Sequence, residues 1–364
     1  VENMDFSVED KLFVENFIKK TKGVKSERTR KILEIQREWT EQLKKCDEVE
    51  LYIIKSTVII AGTCTGFVSN RIIRDVEFDY VIVDEAAKAT FPELAVSLNK
   101  AHKIILVGDH QQLPPVLDTE IIRNNKEKLD EEGLAQGFFE RMYNMFPEDN
   151  KHRLTIQYRM HPTIGTLISH VFYNDEIQNG VEAQDRELCI EGYEGIAIEW
   201  ISTSKYSTKE RYEKEFDNNG KKSYQNYLER NIVERKLLEL DSKLVKRTKV
   251  AVITGYGSQK YILQTMVKQH SFKHIEVDVD TVDAFQGSQK DIILYSTVRS
   301  SGNKYGIGFL KSEARINVAF SRARCLLIIV GDMKFLDNYK IRGNKFPEII
   351  KYITESEGCR IIEK

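Results

Sequence analysis

Cysteine is sparse and scattered in this chain of 364 residues: Cys46, Cys64, Cys189, Cys325 and Cys359, with no Cys-x-x-Cys pair. That argues against a structural zinc site or a disulfide framework and favours a reducing cytosol, so a cytoplasmic protein is expected. No apolar run approaches the roughly 18 residues of a membrane span. The N-terminal stretch VENMDFSVEDKLFVENF is acidic and amphipathic, which is not how a signal peptide reads. No membrane partner is expected. An excess of charge of one sign is also missing. The net charge is −1, so no global basic field advertises nucleic acid, and any such binding has to come from a local groove. His102, His110 and His161 have no metal-ligand spacing and read as packing or surface residues. What is present in ordinary measure, 41% hydrophobic and 30% charged residues, belongs to a soluble globular protein, and the length of 364 residues implies two domains or three.

Residues 1–50 are helical in pattern and dense in both signs of charge. Within them Ile32, Ile35, Trp39 and Leu43 recur at three to four residues, the stripe of a helix packed on one face. From Ser56 the texture changes. STVIIAGT, YVIVDE, KIILVGD, KVAVITGY, DIILYSTV and CLLIIVGD are short, β-branched and continuous, as buried parallel strands read. FPELAVSLNK, SYQNYLERNIVERKLLEL and GSQKYILQTMVKQ lie between them with helical patterns. Alternation of this kind predicts an α/β fold with doubly wound parallel sheets, and functional groups at the carboxyl ends of the strands. The stretch 118–150 reads as a helical connection with a boundary near 150. Residues 203–222, rich in Ser, Thr, Lys, Tyr and Asn, read as a mobile surface loop with a modest basic excess.

Chemistry gathers at the strand ends. YVIVDEAAKA places Asp84 and Glu85 after a strand. One carboxylate to hold magnesium through water and one to polarise the attacking water is the division of labour that phosphoryl transfer needs. KIILVGDHQQLPP ends in a polar loop fixed by Pro114 and Pro115, where the amide of Gln112 can report whether a γ-phosphate is present. Arg159 in LTIQYRMHP and Arg322 in NVAFSRAR are two guanidinium groups placed to reach a phosphate across a cleft. TVDAFQGSQKD supplies a glycine-containing turn, with Gln286 and Gln289 as candidates for phosphate and ribose.

In this order DEAA (84–87), GDHQQLPP (108–115), QYRMHP (157–162), VDAFQGSQKD (282–291) and NVAFSRAR (317–324) resemble the motif set of superfamily 1 helicases, in the subclass typified by the nonsense-mediated decay helicase. The resemblance covers about residues 30–335. It implies two RecA-like domains around a cleft, with ATP and Mg2+ between them and a single strand of DNA or RNA across the top, in a monomeric enzyme translocating 5′ to 3′. On that basis Asp84 binds magnesium, Glu85 is the catalytic base, Gln112 the γ-phosphate sensor, and Arg159 and Arg322 the arginine fingers. Gln286, Gly287 and Gln289 contact nucleotide; Thr63, Cys64 and Thr254 contact nucleic acid. Residues 1–50 are the helical stalk remnant, 51–150 a partial first RecA-like domain, and 151–364 the second.

Three departures from the pattern matter. Gln289 stands where the family has a ribose-binding Glu, and Gly255 where it has Pro, which loosens that loop. The third is a missing segment. The family opens on a GxxxxGK[ST] loop whose amides and lysine cradle phosphates. AGTCTG and TGYGSQK have glycines without that ending. The expectation is therefore the C-terminal part of an ATP-dependent helicase that hydrolyses ATP negligibly on its own. The alternative is a non-catalytic nucleic-acid-binding or scaffolding module that has lost its phosphate loop.

Overall fold

The computed structural model describes residues 27–43, 47–74, 76–116, 137–218, 221–285, 287–301 and 306–363. Two compact units result, one from residues 1–83 with 92–105, the other from 84–91 with 106–364.

In the first unit, helices α1 (Glu27–Leu43), α2 (Asp47–Ser56), α3 (Cys64–Ser69) and α4 (Arg71–Arg74) precede strand β1 (Phe78–Val83), helix α5 (Phe91–Leu98) and strand β2 (Ala101–Leu106). β1 and β2 form a two-stranded sheet. Two expectations fail here. STVIIAGT forms no strand, and Val58 is 98% exposed. YVIV and KIIL do form strands, but Tyr80, Ile82, Ile104 and Ile105 are exposed. A pair of strands has one neighbour each and cannot cover both of its faces, so the continuous apolar pattern outruns the burial available. The α1 stripe is likewise exposed at Ile32, Ile35 and Trp39.

The second unit is built on a six-stranded sheet in the order β12–β5–β11–β10–β8–β9, every neighbouring pair parallel. Its elements in chain order are α6 (Phe138–Met145), β3 (Ile156–Gln157), α7 (Pro162–Phe172), β4 (Gln178–Asn179), β5 (Ile198–Ser202), α8 (Thr208–Arg211), β6 (Lys214–Asn218), β7 (Lys221–Gln225), α9 (Tyr227–Lys243), β8 (Thr248–Thr254), α10 (Gly257–Val267), β9 (Ile275–Thr281), β10 (Lys290–Ser296), α11 (Glu313–Phe320), β11 (Ala323–Gly331), α12 (Met333–Asn338), α13 (Phe346–Glu355) and β12 (Cys359–Glu363). The strand period of two sorts the apolar residues onto two faces. Ala251, Ile253, Ile293, Tyr295, Leu327 and Ile329 share a core with α7, α11 and α13. Val250, Val252, Ile292, Leu294, Leu326 and Ile328 share the other with α9 and α10. Helices on both faces of a parallel sheet are the doubly wound α/β fold that the strand–helix alternation predicts. Residues on both sides of position 150 belong to this unit.

Residues 203–222 are not a featureless loop. α8 carries a reciprocal capping box in which Ser207 and Glu210 exchange hydrogen bonds, and β6 and β7 pair antiparallel from Lys214↔Gln225 to Asn218↔Lys221. The overlooked signal in the sequence is the Asn219-Gly220 dipeptide, a strong hairpin cue. Among the described residues no helix is long and apolar enough to cross a membrane.

Candidate functional site

The acidic turn begins where β1 ends. The Asp84 carboxylate accepts from the Glu85 N–H at 2.9 Å, and Glu85 carries φ 54°, a left-handed conformation that few non-glycine residues adopt. Both are exposed. The Ala86 N–H then donates to the carbonyl of Val107 at 2.8 Å, which draws the DEAA turn to the start of the GDHQQ loop. Gly108 permits that approach, because a Cβ there would lie 2.8 Å from the Ala87 nitrogen and 3.2 Å from the Phe139 ring. Within the loop the Asp109 carboxylate accepts from the Gln111 N–H at 3.0 Å and from the side-chain amide of Gln112 at 2.8 Å. These bonds hold the loop's shape by giving the Gln111 N–H and the Gln112 side-chain amide a shared acceptor.

A second loop, Gln157–His161, is organised by one side chain. Gln157 Oε1 accepts from the N–H groups of Arg159 (2.9 Å) and Met160 (2.8 Å), while its Nε2 donates to Asn179 Oδ1 (2.7 Å) and the Met160 carbonyl (3.0 Å). Arg186 grips the outside of the loop through the carbonyls of Arg159 and Tyr158. The His161 N–H donates to the Arg324 carbonyl at 2.7 Å and pins the loop to β11, and its ring caps α7 by accepting from the Thr163 N–H at 3.2 Å. Burial lowers the His161 pKa, and this capping role matches the packing expectation. Among the described residues no cluster of His, Cys, Asp and Glu fits a metal ion without outside ligands.

The two loops and the end of α11 converge. Arg322 Nη2 donates to Gln112 Oε1 at 3.2 Å, and its Nε donates to the Val318 carbonyl at 3.1 Å. Arg159 Nη1 reaches the Ser321 carbonyl at 3.4 Å. Neither guanidinium makes a salt bridge among the described residues. Desolvation lowers the Arg159 pKa against the opposing pull of Glu85. Desolvation and the charge of Arg159 bring Arg322 down to about 10, with Glu85 acting the other way. Both stay charged at neutral pH. Two neighbouring cations, Arg322 buried and Arg159 half-buried, with only neutral groups bonded to them, form a site short of one anion. The VDAFQGSQ turn closes beside it: the Lys290 N–H donates to the Arg322 carbonyl (3.1 Å), and the Ser288 carbonyl accepts from Arg322 Nη1 (3.5 Å).

A family profile described as "AAA domain" matches residues 134–334, more than half of the chain, and a second of the same description matches 7–120. The chain belongs to the AAA domain family of superfamily 1 helicases. The chain is 35% identical to "Regulator of nonsense transcripts 1 homolog" of Drosophila melanogaster over 81% of its own length and 24% of that protein. It is 34% identical to "ATP-dependent helicase NAM7" of Saccharomyces cerevisiae, over 88% of this chain and 31% of that one. An "Uncharacterized ATP-dependent helicase MJ0104" of Methanocaldococcus jannaschii is 29% identical over 94% of this chain and 48% of that protein. The chain thus spans from a quarter to a half of these relatives. A solved structure titled "The structure of PRRSV helicase" is 17% identical with a TM-score of 0.33, over 69% of this chain and 34% of that one, which adds nothing to the fold assignment.

Of the residues singled out in the sequence, Asp84, Glu85, Gln112, Arg159 and Arg322 fall in one compact unit. Gln286 lies outside the described residues. Gly287 takes φ 83°, which glycine adopts without strain, and Gln289 is exposed. Thr254 ends β8 fully buried, with its hydroxyl unpartnered and its carbonyl accepting from the Val282 N–H at 3.1 Å. In the other unit Thr63 caps α3 by accepting from the Gly66 N–H at 3.0 Å, and Cys64 opens that helix half-buried. Sequence reasoning missed three groups at the convergence: Asp109 as an acceptor, Tyr173 and Asn317. Tyr173 lies 64 positions from Asp109, so no local pattern links them.

Proposed function

We propose that the protein carrying this chain hydrolyses ATP and couples the hydrolysis to 5′-to-3′ movement along single-stranded nucleic acid, acting as a monomer. The observation that carries the reading is the pair Arg159 and Arg322, desolvated, without a carboxylate partner, and drawn electrostatically towards Glu85. A γ-phosphate is the anion such a pair is short of, and the charge that spreads over the transferred phosphoryl group is what it stabilises. Glu85 orients the attacking water and accepts its proton. Gln112 senses the phosphate by giving up Arg322 to it. Asp84, an exposed hard-oxygen donor at a strand end, suits magnesium held through water, which would neutralise the phosphates. Gln286, Gly287 and Gln289 line the nucleotide. Thr63 and Cys64 take the strand, whose DNA or RNA identity is left to experiment, while Thr254, fully buried at the end of β8, supports that region from beneath rather than touching the strand. Movement follows from closure when ATP binds and release when it is cleaved.

A scaffolding module that had discarded catalysis would have no use for two desolvated, unpaired arginines, and this favours the enzyme. The 364 residues by themselves, without a phosphate-cradling glycine loop in their sequence, hydrolyse ATP negligibly. The test is steady-state ATPase of the full-length protein and of this chain, with and without matched single-stranded DNA and RNA. Strand-stimulated turnover by the full-length protein alone is the expected result. Robust stimulated turnover by the 364 residues overturns the inactivity, and no turnover by either overturns the enzyme.

A further inference from the structure

Tyr173 closes α7, and its hydroxyl sits between the GDHQQ loop and helix α11. It donates to Asp109 Oδ2 at 2.5 Å and receives a hydrogen bond from Asn317 Nδ2 at 2.8 Å. The direction of each bond is set. Asn317 Nδ2 also donates to the backbone carbonyl of Gln111 at 3.0 Å, an acceptor that a flipped amide oxygen would repel. With its nitrogen fixed, Asn317 gives a proton to Tyr173, so the phenol's own proton points at Asp109. Burial and the Asp109 charge raise the phenol's pKa, which keeps that proton in place.

Asp109 Oδ2 receives a second donor, the side-chain amide of Gln112 at 2.8 Å. The amide nitrogen of Gln112 is thereby tied to the carboxylate, and its oxygen is turned towards Arg322 Nη2 at 3.2 Å. Two donor arms, Asn317 through Tyr173 and Arg322 through Gln112, converge on the Asp109 carboxylate, and each donor meets an acceptor. Two elements far apart in sequence, the end of α7 and the middle of α11, thus fix which way the Gln112 amide faces.

We propose that Tyr173 is a positioning residue for Gln112: by holding Asp109 it sets the amide to face Arg322 without nucleotide, and gives it a fixed point to pivot on when a phosphate takes that arginine. The inference rests on reading Gln112 as the phosphate sensor. A hydroxyl that merely filled space would affect stability and leave the response of Gln112 unchanged. A hydroxyl that positions Gln112 has no effect once Gln112 is gone, because coupled residues are not additive.

The experiment is a double-mutant cycle in the full-length protein, read as strand-stimulated ATPase with kcat and KM separated and melting temperature recorded alongside. Tyr173→Phe is expected to lower kcat about tenfold with KM for ATP changed less than twofold, as removal of an interaction realised in the transition state does. In a Gln112→Ala background the same change is expected to cost nothing further. Asn317→Ala removes the donor that sets the direction of the Tyr173 arm and is expected to act in the same way, more weakly; it carries the test if Tyr173→Phe does not fold. Unchanged kcat in Tyr173→Phe, or an equal loss with and without Gln112, overturns the positioning role. Wild-type turnover in Gln112→Ala itself overturns the sensor reading instead.

Discussion

Arg322 and Gln112 hold each other across 3.2 Å, the guanidinium donating and the amide oxygen accepting. The bond is between a charge and a neutral group, so it is weaker than the charge–charge contact a phosphate offers, and exchange towards an anion is downhill. Arg322→Ala should lower kcat of the full-length protein by about 10³–10⁵-fold, the range for a removed arginine finger. Arg322→Lys should not restore it, since an ammonium cannot reproduce the planar fork that here bonds Gln112 and Val318 together. Steady-state ATPase measures both; recovery in the lysine variant would show that charge alone suffices.

Glu229 lies fully buried under the loop that follows β10. Its carboxylate accepts from Ser296 Oγ (2.6 Å), Thr297 Oγ1 (3.2 Å) and the Val298 N–H (3.0 and 2.9 Å). Val298 takes φ 70°, costly for a β-branched residue and maintained by those bonds. Burial outweighs the hydrogen bonds and pushes the Glu229 carboxyl up to about 8. The folded state then holds a proton that the unfolded chain, titrating near 4.5, has released. The stabilisation is complete below the unfolded value and is lost as pH rises through about 8. The melting temperature of the wild type should therefore fall between about pH 5 and pH 8 relative to Glu229→Gln, which cannot titrate. Parallel melting curves for the two proteins across that range would refute the shift.

The second sheet was readable because parallel strands buried on both faces are continuous apolar runs, and KVAVITGY, DIILYSTV and CLLIIVGD are such runs. STVIIAGT carries the same pattern and forms no strand, since a run of this kind states what could be buried and not whether a neighbouring strand is there to bury it. The site divides in the same way. Motif residues announced themselves in short ordered words, whereas Tyr173 and Asn317 gain their meaning only from contacts between residues 64 and 144 positions apart. The β6–β7 hairpin had one cue in the sequence, the Asn219-Gly220 dipeptide, and the polar flanks, with no apolar alternation, hid it.

Arg299 and Glu213 make a pair at 3.2 Å with side-chain exposures of 0% and 2%. The guanidinium also stacks 4.1 Å from the Tyr224 ring centroid, and its Nη2 donates to the Gly306 carbonyl at 2.6 Å. Glu213 in turn accepts from the N–H groups of Ser300 and Ser301, both at 2.9 Å. Removing one partner strands the other charge in a dry interior. Glu213→Gln should destabilise the chain by about 3–5 kcal/mol, as breaking a buried ion pair does. Urea unfolding of the chain is the measurement; a loss below about 1 kcal/mol, the worth of a surface pair, would mean that water reaches the site.

Gly165 sits on the first turns of α7, beneath the Gln157 side chain that shapes the Arg159 loop. A Cβ built there would lie 2.1 Å from Asn179 Oδ1 and 2.7 Å from Gln157 Nε2, closer than non-bonded atoms tolerate. Those two atoms are hydrogen-bonded to each other at 2.7 Å, so the methyl group of Gly165→Ala would wedge that bond open. The helix itself would gain, since alanine is the better helix former by roughly 1 kcal/mol. The two effects therefore separate. Stability should change little, while Gln157 loses its anchor and with it the grip of Oε1 on the Arg159 and Met160 N–H groups. A guanidinium displaced by about 1 Å can cost on the order of a hundredfold in rate. Gly165→Ala should thus lower kcat of the full-length protein with its melting temperature nearly unchanged. Full activity in the alanine variant would show that Asn179 swings aside and that the Arg159 loop holds its shape without Gln157.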